Sequence, residues 1–280
     1  MSKTILITGV STGFDRALSE AALAAGYKVV GTVRSEAQRA AVDKLKPGRS
    51  FGRLLDVTDI AAIAPLVAEI EKTVGPIDVL VNNAGYGHEG TVEESSMEDF
   101  RRQFEVNVFG AVAMMQAVLP GMRKRRAGRI LNVTSMGGFV TFPGVGVYHG
   151  SKFALEGISE ALGKEVKGLG IHVTAVAPGG FRTDWAGRSL VRKERSITDY
   201  DEVFEPARKR RMDMNGKQVG DPKKAAAAML RLIEAENPPF HLLLGSDAVK
   251  LVREKLDFLK SEFDAWEKLS LSTDVGEAAA

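Results

Sequence analysis

The chain of 280 residues can bury one sizeable core, so a single domain is expected, and its 44% hydrophobic and 26% charged residues match a globular protein rather than a disordered one. A formal net charge of +2 gives no reason to expect a nucleic-acid or anionic-membrane partner. The lack of cysteine excludes disulfides, thiolate metal sites and a cysteine nucleophile, and no other metal site is expected. Residues 3–8 read as a strand, followed by a helix over 14–25, a strand over 28–33 and a helix over 35–45. A strand over 53–56 leads to a helix over 59–74, which Pro65 should kink, and then to a strand over 79–82. A long helix over 97–122, a strand over 129–134, a helix over 148–169, a strand over 172–177, a helix over 222–236 and a strand over 241–244 complete the alternation.

Apolar strands alternating with helices predict one Rossmann-type doubly wound α/β domain over 1–245, with a seven-stranded parallel sheet covered by helices on both faces. Residues from about 182 to 220 break that rhythm and read as a lid over the substrate. In 246–280, Val249, Val252, Leu256, Leu259, Phe263 and Trp266 recur at steps of three or four. They predict a C-terminal helical extension whose stripe packs on the core or on another subunit, before a frayed tail over 274–280. The opening run at 4–7 is too short for a signal-peptide core, and no apolar stretch approaches the roughly 18 residues of a membrane span, so a cytoplasmic location is expected.

Chemistry enters first at Thr8-Gly9-Val10-Ser11-Thr12-Gly13-Phe14-Asp15, where a strand turns into a helix. Glycines there let the backbone approach a phosphate, and free N–H groups at the helix start stabilise its charge. A plain strand-to-helix turn is the competing reading. The second strand ends Val33-Arg34-Ser35 with no acid to bind ribose hydroxyls, while the arginine fork suits a 2′-phosphate. Asp56-Val57 and Asn82-Asn83-Ala84-Gly85 follow later strands and would serve equally well as turns. Tyr148 and Lys152, four apart, fall on one helical face.

Together these segments resemble the short-chain dehydrogenase/reductases, whose opening motif is Thr-Gly-x-x-x-Gly-x-Gly, with the branch of retinol and 17β-hydroxysteroid dehydrogenases nearest. Asp15 departs from that motif at its third glycine, where its charge would either repel a pyrophosphate or point away to solvent or a base. The resemblance implies a catalytic tetrad of Asn107, Ser135, Tyr148 and Lys152. Tyr148 would be the general acid/base, Lys152 would hold the nicotinamide ribose, Ser135 the substrate oxygen, and Asn107 a proton-relaying water. Lys152 should also favour the phenolate of Tyr148.

The same resemblance implies cofactor contacts at Gly9, Ser11, Thr12, Gly13, Phe14, Arg34, Ser35, Asp56, Val57, Asn83, Ala84, Gly85, Tyr148, Lys152, Pro178, Gly179 and Thr183. NADP(H) is the expected cofactor, with NAD(H) the other possibility, and the substrate is expected to be a small carbonyl or alcohol with a bulky apolar body. Tyr86, Met136, Phe142, Phe181 and Trp185 are candidates for its pocket wall. Family members usually form homodimers or homotetramers, which is the expectation here. Two other readings compete with a carbonyl reductase: an epimerase or isomerase on the same scaffold, and a non-catalytic nucleotide-sensing relative whose cofactor binding Asp15 weakens.

Overall fold

A computed structural model describes residues 2–11, 13–185 and 187–276. The first half is built from β1 (Thr4–Thr8), α1 (Gly13–Ala24), β2 (Lys28–Val33), α2 (Glu36–Asp43), β3 (Ser50–Leu54), α3 (Ile60–Thr73) and β4 (Ile77–Asn82). Next come the short β5 (Gly87–Glu89), α4 (Met97–Phe104), α5 (Gly110–Arg125), β6 (Gly128–Val133), α6 (Gly146–Val166) and β7 (Ile171–Pro178). The chain closes with β8 (Leu190–Arg192), α7 (Asp201–Asp213), α8 (Pro222–Glu234), β9 (His241–Leu244) and α9 (Ser246–Leu271). The large sheet has seven strands in the order β3-β2-β1-β4-β6-β7-β9, all parallel. This is the doubly wound α/β architecture expected from the alternation.

Strands such as Thr4–Thr8 are buried along their whole length because helices cover both faces of the sheet. One core, on the side of α1 and α8, joins Ile5, Ile7 and Val29 to Leu18, Ala22 and Met229. The other, on the side of α3 and α5, joins Leu6, Val30 and Leu80 to Ile63, Ile70 and Met114. Strand order reverses between β1 and β4, so the crevice for a ligand opens where the loops after these two strands meet.

The structure departs from several expectations. The third strand is Ser50–Leu54 rather than 53–56, and Asp56 lies in the turn after it. Helix α3 is assigned continuously through Pro65, which costs it one N–H donor. The stretch 97–122 is two α-helices joined by a π-helical turn, Glu105–Phe109. Against expectation, the continuous helical stretch Met97–Arg125 is long and apolar enough, by length and composition, to cross a membrane. Met114, Met115, Val118 and Met122 bury it against the sheet, as a core helix does.

The segment 182–220 does not lack strands: β8 pairs in parallel with β5 to make a separate two-stranded sheet, and α7 follows it. The stripe on α9 packs on the rest of the chain at its start, through Ala248 and Val252, whereas Leu256, Phe263 and Trp266 are exposed. Packing of their side of α9 on the core of the same chain is therefore overturned.

Candidate active site

The loops after β1, β4, β6 and β7 converge on the start of α6. Tyr148 is buried, its ring 5.2 Å from that of Trp185 in the segment after β7. Burial pushes its phenol up to about 12, and a hydrogen bond with Ser135 pulls it part of the way back. Lys152 is buried one turn further along the helix and donates to the Val133 carbonyl at 2.9 Å, with its Nζ 5.8 Å from the Tyr148 ring centre. The expected lowering of the phenol is not met in this arrangement, because desolvation outweighs the bond with Ser135. Burial also lowers Lys152 itself to about 8, against the pull of Glu156 and Asp15, whose charges favour the ammonium.

Ser135 caps the short 3₁₀ turn after β6, its Oγ accepting from Gly137 N at 3.0 Å. Asn107 sits in the π-helical turn, a local widening of the helix often found at functional sites. Its Nδ2 donates to the Tyr86 carbonyl at 3.0 Å and to Ser151 Oγ at 3.1 Å, and its Oδ1 accepts from Tyr86 N at 3.1 Å. Its Oδ1 keeps a second acceptor lone pair. Asn107 also ties the loop after β4 to α6. Asn107→Leu should cost about 2–3 kcal/mol, the penalty for orphaning the buried partners of such an amide, and a urea unfolding curve measures it.

At the phosphate turn, Gly9 and Gly13 both adopt positive φ, +80° and +71°. A Cβ on Gly9 would lie 3.1 Å from Ala84 Cα, so glycine is what lets the loops after β1 and β4 press together. Thr8 Oγ1 fixes the second loop by accepting from Asn83 N and Ala84 N, both at 3.0 Å. A narrow cradle therefore exists at the first turn of α1, and it fits a dinucleotide pyrophosphate. Ser11 is exposed beside it, and Thr12 lies outside the described residues. Phe14 instead packs on Phe181, ring centres 4.7 Å apart, which places Phe181 in the core rather than in a pocket wall.

Arg34 is exposed at the end of β2, free to take a 2′-phosphate, and its charge helps to hold Asp56 below the usual carboxylate range after the dominant bond from Thr58 N. Ser35 Oγ accepts from Gln38 N at 3.4 Å as the N-cap of α2, so its hydroxyl is already engaged. Val57 is buried against Gly110, where a Cβ would come within 2.8 Å of it. Gly85 adjoins Asn107, Pro178 ends β7, Gly179 N is bonded to Leu244 O, and Thr183 lies 3.7 Å from where a Cβ on Gly13 would be. The structure thus brings the tetrad, the phosphate turn and Thr183 to one crevice. Among the other wall candidates, Trp185, Tyr86 and Met136 are half-buried and Phe142 is exposed.

Asp15 neither faces the crevice mouth nor points to solvent. Its side chain is turned inward to accept from Asn83 Nδ2, and burial pushes its carboxyl well above the usual range. A second buried acid, Glu156, was missed by sequence reasoning although it continues the i, i+4 row from Lys152 along α6. It accepts from Thr134 Oγ1 and lies 2.7 Å from His241 Nδ1, behind Lys152.

With that geometry in place, the short chain dehydrogenase family matches residues 3–193 of this chain. The chain belongs to that family. It is an oxidoreductase of the short-chain dehydrogenase type. It is 37% identical over 248 residues to the 3-ketodihydrosphingosine reductase of Bacteroides thetaiotaomicron, covering 86% of this chain and 87% of that one. A solved short-chain dehydrogenase from Streptomyces avermitilis superposes with a TM-score of 0.90 at 39% identity, covering 98% of both chains. The solved structure of ElxO with NADP bound superposes with a TM-score of 0.71 at 26% identity, covering 87% of this chain and 96% of that one.

Proposed function

We propose that this dehydrogenase reduces a ketone or aldehyde on a bulky apolar molecule with NADPH, or runs the reverse oxidation, with Tyr148 as general acid/base. The observation that carries the reading is the buried Tyr148, hydrogen-bonded with Ser135 and one turn before a buried Lys152, beneath the apolar ring of Trp185. A bound nicotinamide supplies the hydride. As negative charge builds on the substrate oxygen, Ser135 holds that oxygen and the Tyr148 hydroxyl gives up its proton to it. Lys152 keeps positive charge beside the phenol and holds the ribose, and Asn107 anchors a water that returns the proton from solvent. Trp185 excludes bulk water from the ring of Tyr148.

The groups that would hold the dinucleotide are the backbone of Gly9, Ser11, Gly13 and Phe14, the loop Asn83-Ala84-Gly85, and the strand-end residues Asp56 and Val57. On the nicotinamide side they are Tyr148, Lys152, Pro178, Gly179 and Thr183. Arg34 selects the 2′-phosphate, which NADP-bound ElxO makes a natural expectation for a related fold. Arg34→Ala should weaken NADPH about tenfold and leave NADH unchanged, as fluorescence titration would read. Equal weakening of both would remove Arg34 from cofactor choice.

The substrate reading draws on the Bacteroides relative, whose name assigns it a keto sphingoid base, and on the apolar Trp185 beside Tyr148. The direct test mixes the chain and NADPH with 3-ketodihydrosphingosine, a steroid ketone and a short aliphatic ketone, following nicotinamide absorbance. Turnover of the first two above the third supports an apolar pocket, and silence across all of them with NADPH bound sinks the reductase. A nucleotide-sensing relative is the second reading, favoured by Asp15 alone. A cytoplasmic homodimer or homotetramer completes the proposal, with the exposed side of α9 as one contact face.

A further inference from the structure

Asp15 occupies the third residue of α1, where the family motif has glycine, and only 5% of it is exposed. Its carboxylate accepts from Asn83 Nδ2, reaching across from the end of β4, and the cationic charge that acts on it belongs to Lys152 of α6. Lys152 in turn feels Glu156 from further along the same helix, and Glu156 is partnered by Thr134 and His241. The other charged groups nearby are engaged elsewhere. Arg16 pairs with Glu20 at 2.6 Å, Arg182 Nε donates to Gln218 O at 2.8 Å, and Asp184 lies 3.4 Å from Arg188. Tyr148 is held by Ser135.

The carboxylate is therefore held by one group that the cofactor reading assigns to the dinucleotide, Asn83, and feels the charge of another, Lys152. A pyrophosphate arriving at the first turn of α1 places negative charge beside a carboxylate that cannot retreat into water, since its side chain is short and its helix is packed against the sheet. In the cofactor reading Lys152 stays an ammonium beside the phenol and the ribose. The carboxylate is then the group left to be neutralised.

We infer that Asp15 couples dinucleotide binding to proton uptake: its buried carboxyl, held by Asn83 beside the phosphate turn, takes up a proton when the dinucleotide binds. The inference rests on the proposed NADP(H) site. Burial prepares the carboxyl for this, raising it well above the usual range although the charge of Lys152 acts the other way. Cofactor affinity is then highest on the acid side of neutrality and declines as pH rises.

Calorimetry of NADH and NADPH binding to the whole chain, in buffers of different ionisation enthalpy at one pH, counts the protons directly. NADH is the cleaner probe, because a 2′-phosphate titrates on its own near about 6. The expected result is uptake approaching one proton for the native chain and none for Asp15→Asn, with Kd rising up to about tenfold per pH unit in the native chain only. Asp15→Gly, which restores the family residue, should bind more tightly than the native chain at alkaline pH and match it at acid pH. Equal proton counts in the native chain and Asp15→Asn overturn the inference while leaving the cofactor site standing. No binding of either dinucleotide to the native chain or to Asp15→Gly overturns the cofactor site and the inference with it.

Discussion

Tyr148→Phe should lower kcat for ketone reduction by about 10² to 10⁴, the range for loss of one positioned proton donor, and leave NADPH binding within a few-fold of the native value. The ring of Tyr148 is buried and packs on Trp185, so phenylalanine fills the same space and the fold should survive unchanged. Only the hydroxyl disappears, together with its bond with Ser135. Because burial pushes the phenol to about 12, the group remains an acid through neutral pH and suits the reducing direction. Lys152 sets the alkaline limit instead. Lowered to about 8, it loses its charge as pH rises through that value, so native reduction should fall there while the phenol is still protonated. Stopped-flow rates of nicotinamide oxidation across pH 6 to 10 check both points, and a variant that still turns over at the native rate removes Tyr148 from the reaction.

Much of this site was legible because each group sits at the end of a regular element. The fold alternates periods of two and 3.6 residues; Asn83, Ser135 and Thr183 follow strand ends that the alternation marks, and Tyr148 opens a helix. The π-helical turn around Asn107 was not legible, since the apolar spacing of 97–122 runs through it as through an ordinary helix. Nor was β3, where Ser50, Gly52 and Arg53 dilute the apolar signal. Gly52 is there because a Cβ would come within 2.5 Å of Arg39 O, a contact made by tertiary packing. The inward turn of Asp15 depended on an amide from another loop, and Glu156 showed no motif of its own, so neither orientation was written in local sequence.

The segment 182–220 shows the same limit more sharply, because what fastens it is charge rather than apolar periodicity. Helix α7 is mostly charged and polar, with Phe204 its only buried residue, so its spacing says little about where it docks. Glu89 of β5, 1% exposed, lies 2.8 Å from Arg211 and 3.4 Å from Arg208 on α7 and 3.5 Å from Arg192 on β8. These partners are more than a hundred residues away in sequence. Glu89→Ala would leave several guanidinium groups facing one another without their shared carboxylate. Stripping one partner from a buried pair costs about 3–5 kcal/mol, discounted here to about 2–3 because the arginines keep part of their water.

The loss should appear locally, as faster proteolysis within 190–213 and hydrogen exchange in α7, with the large sheet still protected. Acid should loosen the same segment in the native chain. Glu94 accepts from Ser196 N at 2.7 Å and Ile197 N at 2.9 Å, and these bonds bring its carboxyl from an ordinary 4.5 to about 2. A carboxyl lowered by folding adds stability that is complete above its unfolded value and lost as pH falls through its folded one, so the loosening belongs between pH 4.5 and 2. Since β8 and α7 follow directly on the strand of chain that carries Trp185, a loosened segment should uncover Tyr148. Glu89→Ala should therefore raise KM for an apolar ketone more than it lowers kcat. An unchanged KM with 190–213 demonstrably open would mean that Trp185 is held over Tyr148 by something other than this cluster of charges.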